Sequence, residues 1–199
     1  MKSIFCTSFA APIGYYQAFL KSEMPVLEVH EHFIKQTIRN RCEIATSNGK
    51  LILTVPLSNR KNNMPVSEVL ICYKTDWQRQ HIKTLETAYK SSPFFEFYID
   101  ELWAIYKLKP NSLIEWNQLI HQQILKWLKA HKTFERTLVY EKTYENDNDY
   151  RVMDWANLPS QPYHQVFENK LGFIGNLSLF DLLFNSGNEA ISYLKNYSE

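Results

Sequence analysis

Long apolar runs are missing from the sequence. No segment of the 199 residues approaches the ~20 consecutive apolar residues that a membrane-spanning helix needs. The apolar stretch near the N-terminus is too short and too interrupted to form the hydrophobic core of a secretory signal. We therefore predict a cytoplasmic protein without a membrane span.

Cysteine is scarce and does not occur in pairs. Cys6, Cys42 and Cys72 are odd in number, and no Cys-x-x-Cys motif is present. Each lies in its own apolar, strand-like stretch, and free cysteine is among the most buried residue types. The sequence therefore predicts three buried thiols.

The motifs of the best-understood enzyme classes are also absent. The sequence contains no GxGxxG, P-loop, GxSxG, HExxH or EF-hand loop, so we predict no cofactor. The net charge of +1 lacks the basic bias that is typical of nucleic-acid-binding proteins. Basic residues outnumber acidic ones over residues 1–90, and the reverse holds over residues 91–199. This asymmetry favours an anionic small-molecule ligand on the N-terminal half; the alternative is a solvated surface of uneven charge.

Apolar periodicity predicts strands first and helices later. Asn48 and Gly49 suit the tight turn of a β-hairpin over residues 41–57. Period-two and compact apolar runs predict strands at 3–9, 26–32, 67–73 and 137–140, with a short helix at 12–22 and a polar loop at 59–65. Helical spacing predicts three helices within 75–131 and two more after Ser178, with a turn at Gly187. Thr75 and Gln78 resemble a capping box. The fold class is α+β: one domain over residues 1–199, with an N-terminal hairpin and strands followed by a mainly helical C-terminal half.

Residues 141–162 are polar, acidic and without apolar periodicity. We predict a long loop here, which in a compact domain often covers a functional surface. Directly after it come Tyr163, His164 and Gln165, of which Tyr163 and His164 could position or protonate a substrate hydroxyl or amine; Tyr163 and Phe167 could equally pack four residues apart on a helix.

The segment KQTIRNR, residues 35–41, carries many hydrogen-bond donors immediately before the hairpin. Arg39 and Arg41 flank Asn40, and a period of two places both arginines on one strand face. Guanidinium groups bind phosphate and carboxylate in a bidentate manner, so an anion site is one interpretation, with Arg41 as its principal residue. Arg60, Lys61 and Arg79 could contribute further charge. The alternative is that one or both arginines brace Glu31, Glu43 or a loop.

His30 and His32 form an H-x-H pattern on the predicted strand, so their rings point the same way. Such pairs occur in metal sites; a third ligand would have to come from His81, His164 or a carboxylate elsewhere, and we predict no metal. Histidine titrates near neutral pH, which makes His30, His32 and His164 the candidate general bases.

Several segments occur in an order that resembles the WbqC-like protein family: PIGYYQAFL, KQTIRNRCEIATSNG, LILTVPL, DWQRQHIKTLETAY with SSPFF, and NLSLFDLLFNSG. The resemblance covers residues 5–187. It points to a set of positions in this chain: Tyr15, Asn40, Arg41, Trp77, His81, Tyr89, Ser178 and Asp181. Many relatives carry Q-P-x-Y-L-P after the first strand and acidic residues near the end of the second, where this chain has TSFAAPIGYY and HEH.

The family resemblance implies a role in bacterial surface-polysaccharide synthesis of the O-antigen type. Relatives are suggested to transfer an amino-acyl or acyl group to an amino sugar. The first hypothesis is therefore a transferase acting on a nucleotide-linked amino sugar, with Arg39 and Arg41 holding the anion and a histidine as base. Tyr15, Asn40, Trp77, Arg79 and His81 would complete the substrate site. The second hypothesis is a non-catalytic protein that binds a sugar nucleotide or acts as a scaffold for glycan-biosynthesis proteins.

Overall fold

The chain begins with a strand–helix–strand unit. A computed structural model describes residues 1–58 and 63–196. Strand β1 (Lys2–Cys6) runs parallel to β2 (Met24–Glu28), and helix α1 (Ile13–Lys21) connects them. All but the first residue of each strand is buried, as expected for a parallel sheet covered on its faces.

A separate two-stranded hairpin follows. Strands β3 (Arg41–Thr46) and β4 (Gly49–Thr54) are antiparallel, and Gly49 has a φ of 104°, which its missing side chain permits. Alternate residues of β3, Cys42 and Ile44, are buried in the core. The hairpin predicted at 41–57 is confirmed.

Three long helices form the middle of the chain: α2 (Trp77–Tyr89), α3 (Phe95–Tyr106) and α4 (Leu113–Trp127). A capping box starts α4, where Ser112 and Glu115 each accept a hydrogen bond from the other's backbone N–H. The capping box predicted at Thr75 is wrong. The amide of Gln78 instead donates to backbone carbonyls at the end of α3, including that of Leu108 at 2.7 Å.

Two short strands from the second half complete the parallel sheet. Strands β5 (Glu135–Arg136) and β6 (Asn148–Asp149) pair in parallel with β2 and β1, giving the order β5-β2-β1-β6. The chain then forms α5 (Glu168–Leu171), α6 (Leu179–Ser186) and α7 (Ala190–Asn196). Ser178 caps α6 and Gly187 ends it with a φ of 55°, as predicted.

One main hydrophobic core joins most of these elements, and a small second cluster contains Leu27, Val29, Val66 and Ile114. The main core takes buried residues from β1, α1, the hairpin, α2, α3, α4, α6 and α7. The α+β class, with strands and a hairpin before a mainly helical half, is confirmed. Among residues 1–58 and 63–196, no helix is long and apolar enough to cross a membrane.

Several predicted elements differ from the structure. The second strand ends at Glu28, not at residue 32, because the Glu28 carboxylate accepts the His30 backbone N–H at 2.7 Å and turns the chain. The stretch 67–73 begins within a 3₁₀ turn, Val66–Glu68, and continues with isolated bridges at Leu70 and Ile71. In place of the strand predicted at 137–140, the structure has β5 at Glu135–Arg136. Cys6 and Cys42 are buried as predicted, but Cys72 is only half-buried. Residues 59–62 of the predicted polar loop lie outside the described residues.

The segment 141–162 is largely irregular, as predicted, but it contributes β6 and a 3₁₀ turn, Trp155–Asn157. Strand β6 forms by pairing with the distant strand β1. Its own sequence has no apolar periodicity from which a strand could be predicted. Tyr163 and Phe167 do not share a helix, since α5 begins only at Glu168. The Tyr163 ring packs instead against Phe173 and Tyr193.

Candidate functional site

A cavity of about 420 Å³ opens at the carboxyl edge of the parallel sheet. Its lining includes Ala10 and Pro12 from the connection between β1 and α1, residues of the segment 34–39 after β2, and residues 151–156 after β6. The hairpin provides a further wall through Arg41, Glu43 and Ile52. Ligands of parallel sheets bind outside the carboxyl ends of the strands, and the volume is within the range of small-molecule sites.

The donor-rich segment before the hairpin lines a second, adjoining cavity. Lys35, Gln36, Asn40 and Arg41 contribute to this space of about 150 Å³, and Gln36 and Arg41 line both cavities. Asn40 donates its side-chain amide to the carbonyl of Val55 at 3.0 Å, while its Oδ1 is buried and has no hydrogen-bond partner among the residues that the structure describes. This segment therefore places the amide of Gln36 and the guanidinium-bearing residue Arg41 where the two cavities meet.

Arg41 is half-buried, and its Nε is a buried donor without a hydrogen-bond partner in the described part of the chain. A buried unsatisfied N–H costs roughly 1–3 kcal/mol, so native structures usually provide an acceptor. The position of Arg41 beside open space means that a bound ligand can supply this acceptor. The guanidinium fork fits a phosphate or a carboxylate.

Arg39 has a different environment from Arg41. Its Nε and Nη2 donate to the two carboxylate oxygens of Glu31 at 2.8 and 2.6 Å, and Nη2 also reaches the carbonyl of Arg151 at 3.2 Å. The prediction that Arg39 and Arg41 share a strand face is wrong, because Arg39 lies in the turn before β3. Arg39 thus braces Glu31, which was the alternative interpretation, although part of its side chain lines the cavity.

A cluster of charged groups supports the cavity wall, with Glu28, Glu31, Arg39 and Arg151 buried and Asp149 exposed. Arg151 donates to Asp149 through Nε and Nη2 at 2.8 and 2.6 Å, and its Nη1 lies 3.8 Å from the Glu28 carboxylate. Burial raises the pKa of Glu31, and the Arg39 guanidinium opposes this shift. The Arg151 guanidinium holds the pKa of Asp149 below its ordinary value against the opposing effect of burial. These pairs fix the segment after β6 in place as a wall of the cavity.

Sequence reasoning missed the contribution of residues 151–156. Arg151, Asp154 and Trp155 line the cavity, yet they lie in the stretch predicted as a loop. The available signal was the RVMDW segment itself, where charged and large apolar residues alternate within an otherwise polar stretch. Asn176 was missed as well. It lines the same cavity with a φ of 51°, and its Oδ1 is buried without a partner among the described residues.

The three histidines predicted as bases do not line the 420 Å³ cavity. His30 Nε2 lies 3.2 Å from the carbonyl of Thr137, and His32 is exposed and stacks on Tyr140. His164 is exposed, with Nδ1 2.9 Å from Glu168. The structure does not bring the three together, and their catalytic role stays a prediction. Within residues 1–58 and 63–196, no group of three or more His, Cys, Asp or Glu side chains is arranged to hold a metal ion.

The other predicted substrate-binding residues lie mostly in the core. Tyr15 donates its hydroxyl to the Cys6 carbonyl at 2.8 Å, and Trp77 packs edge-on against His81. Burial lowers the pKa of His81 to about 4, which makes it a neutral core histidine near pH 7. Arg79 is exposed on α2 and lines neither cavity. Arg60 and Lys61 lie outside the described residues.

Ser178 and Asp181, in the NLSLFDLL segment, form hydrogen bonds that join separate parts of the fold. Ser178 donates its hydroxyl to the Ala10 carbonyl at 2.8 Å and also lines the cavity. Asp181 is fully buried and accepts hydrogen bonds from the hydroxyls of Tyr89 and Tyr163 at 2.6 and 2.5 Å. Burial raises the pKa of Asp181, although these hydrogen bonds counteract the shift.

Fold and cavity together define an α+β protein with an arginine at the junction of two cavities beside a short parallel sheet. The chain belongs to the WbqC-like protein family, whose family model matches residues 8–157. The cavity walls up to Ala156 lie within this match, whereas the NLSLFDLL segment lies beyond it. The chain is also similar to the uncharacterized protein Rv1507c of Mycobacterium tuberculosis, with 26% identity over 92% of each chain. No solved structure matches the chain with significant similarity.

Proposed function

We propose that the 420 Å³ cavity binds the phosphate or carboxylate of an anionic small molecule, with Arg41 as the principal contact. The observation that carries this proposal is the buried Nε of Arg41, which has no hydrogen-bond partner among residues 1–58 and 63–196 and lies at the junction of two cavities. A nucleotide-linked amino sugar is the ligand class that combines such an anion with a polar ring of suitable size.

The proposed activity is that of a cytoplasmic transferase in bacterial surface-polysaccharide synthesis. It would attach an amino-acyl or acyl group to the amine of the sugar, with glycan-biosynthesis proteins as partners. Family membership and the anion-binding cavity support this proposal. The amine nitrogen would form a bond to the carbonyl carbon of the donor as the donor's leaving group departs, and a general base would take the amine proton.

The candidates for that base come from two sets. His30, His32 and His164 remain proposed from the sequence. Glu43 and Asp154 join them because both residues line the cavity and carry carboxylates. A base must lie within hydrogen-bond reach of the proton that it removes, and this favours the two carboxylates on geometry.

A second candidate function is ligand binding or scaffolding without turnover. The observation that favours it is the pairing of charged groups around the cavity. The pairs are Arg39 with Glu31, Arg151 with Asp149, and Glu43 with Lys50. Side chains held in ion pairs of this kind stabilise the cavity walls and are less free to transfer protons.

The binding proposal is tested by thermal shift of wild type, Arg41→Ala and Arg79→Ala with a uridine-diphosphate amino sugar, coenzyme A esters and inorganic phosphate. Arg79→Ala is the matched control, because Arg79 is an exposed arginine that lines neither cavity. A ligand at 100 times its dissociation constant adds about 2.7 kcal/mol of stability. We expect wild type and Arg79→Ala to shift and Arg41→Ala not to shift. Equal shifts in all three proteins would contradict the assignment of Arg41.

Turnover separates the two functions. With a ligand pair that binds, transfer of the acyl group is followed by mass spectrometry in wild type, Asp154→Asn, Glu43→Gln and the three His→Ala variants. Loss of product in one variant that still binds ligand supports the transferase and identifies the base. Binding without product in wild type supports the scaffold.

A further inference from the structure

Four large apolar side chains line the same cavity although they are exposed to solvent. They are Ile34, Ile52, Val152 and Met153, with exposed fractions of 42, 49, 76 and 38%. Single exposed apolar residues are common on protein surfaces and need no explanation. Four that line one cavity are a local concentration of exposed apolar residues, which typically marks a binding site.

These side chains come from three separate parts of the chain. Ile34 lies in the loop after β2, Ile52 lies on β4, and Val152 and Met153 follow β6. No local sequence pattern would place them together, so the fold itself brings them to the cavity. We call this set the apolar rim.

The apolar rim lies close to the anion-binding arginine. Across the hairpin Glu43 is opposite Ile52, and Arg41 is opposite Thr54. Arg41 and Ile52 are therefore diagonal neighbours, whose backbone positions are separated by roughly 7–8 Å. A ligand that contacts both residues must carry its charge and its apolar part only a few bonds apart.

We infer that the ligand of this cavity is amphiphilic: it carries a phosphate or carboxylate bound by Arg41 and a short alkyl or acyl chain that covers the apolar rim. The inference rests on the proposed function in that Arg41 holds the anion. It selects the acyl over the amino-acyl alternative, because placing an ammonium group against apolar side chains costs desolvation free energy that an alkyl chain does not. Burial of the chain removes both its own surface and that of the rim from water.

The test is a homologous series measured by isothermal titration calorimetry. Inorganic phosphate is compared with methyl, butyl and hexyl phosphate at concentrations below micelle formation. Each buried methylene contributes about 0.8 kcal/mol, so we expect the dissociation constant to fall roughly two- to fourfold per methylene until the chain passes the rim. Hexanol serves as the uncharged member of the series.

Variants separate the two ends of the site. Val152→Ser and Ile52→Ser, which remove apolar surface without adding a charge beside Arg41, should remove most of the dependence on chain length and leave the affinity for inorganic phosphate within about threefold of wild type. Arg41→Ala should weaken every phosphate by a similar factor. Phe97→Ser is the matched control: Phe97 is a similarly exposed apolar residue on α3 that does not line the cavity, and its replacement should leave the whole series unchanged.

The outcomes distinguish this inference from the proposed function. If phosphate binds through Arg41 and chain length has no effect, the amphiphilic ligand is wrong and the anion site stands. If hexanol binds as tightly as hexyl phosphate and inorganic phosphate does not bind, the anion site is wrong. If the rim variants abolish sedimentation with phosphatidylglycerol vesicles while no soluble alkyl phosphate binds, the rim contacts a membrane and the inference is overturned.

Discussion

Arg39 and Glu31 form a two-point ion pair in the interior, with Nε–Oε1 and Nη2–Oε2 distances of 2.8 and 2.6 Å. Side-chain exposure is 1% for the arginine and 6% for the glutamate. Arg41, two residues later, has no such partner within the described ranges and borders open space instead. Two arginines that look equivalent in the sequence thus have opposite roles: one holds the fold, and one is available to a ligand.

The first prediction concerns this contrast. Arg39→Met should lower the free energy of unfolding by about 3–5 kcal/mol, because it leaves the Glu31 carboxylate buried without its cation. Arg41→Met should change stability by less than about 1 kcal/mol, since no ion pair is lost. Urea unfolding followed by circular dichroism measures both. The double variant Glu31→Met/Arg39→Met should recover most of the loss, and a double variant as unstable as Arg39→Met would contradict the explanation.

The second prediction concerns Asp181, the common acceptor for Tyr89, Tyr163 and the amide of Gln165. Asp181→Ala should destabilise the protein by about 3–4 kcal/mol, because several buried donors lose their acceptor at once. Asp181→Asn keeps one carbonyl oxygen and should cost about half as much. Equilibrium urea unfolding distinguishes the two. Equal losses for both variants would indicate that the charge, rather than the acceptor atoms, matters.

The third prediction concerns Arg151, whose hydrogen bonds hold the preceding segment, residues 141–149, in place. Its guanidinium donates to the backbone carbonyls of Glu141 and Lys142 at 2.9 and 3.1 Å as well as to Asp149. Arg151→Gln should increase amide hydrogen exchange over residues 141–152 at least about tenfold, because local opening loses these bonds, while α4 stays protected. The control is Arg136→Gln, which removes an exposed arginine bonded to Gln118. Unchanged exchange in Arg151→Gln would show that other contacts hold the segment.

The fourth prediction is a loss of stability in mild acid. Burial lowers the pKa of both His81 and His121 to about 4. The unfolded chain, with histidine pKa values of about 6.5, therefore binds more protons than the folded chain between pH 6.5 and 4. Stability due to these groups is complete above about pH 6.5 and falls as the pH drops towards 4, by on the order of 3 kcal/mol per histidine.

The variant His121→Phe isolates one of these contributions. Burial raises the pKa of Glu31 and Asp181, and their effect on stability with pH opposes that of the histidines. The difference between wild type and His121→Phe cancels these carboxyl groups. Thermal melts from pH 7 to pH 4 should show a shallower decline in the variant, and parallel curves would contradict a neutral buried His121.

The site was only partly predictable from the sequence. The donor-rich segment could be recognised from its residue types, and the tertiary structure then pairs Arg39 with Glu31 and places Arg41 beside two cavities. The environments of Trp77 and His81 could not be predicted from the sequence. A polar aromatic residue occupies the same position in the helical pattern whether its side chain faces the core or a ligand. Arg151 and Trp155 reach the cavity through pairing of β6 with β1, which joins residues about 145 positions apart.

Local chemistry in the sequence by itself determined the hairpin, the helical second half, the cap at Ser178 and the turn at Gly187. Each depends on a few neighbouring residues: a positive φ, a side-chain oxygen near free backbone N–H groups, or an apolar period. Only the tertiary structure decided which arginine is engaged, where the second strand ends and which exposed apolar residues share a cavity. Those features depend on contacts between distant segments, and their energies arise from burial and desolvation that no short stretch of sequence specifies.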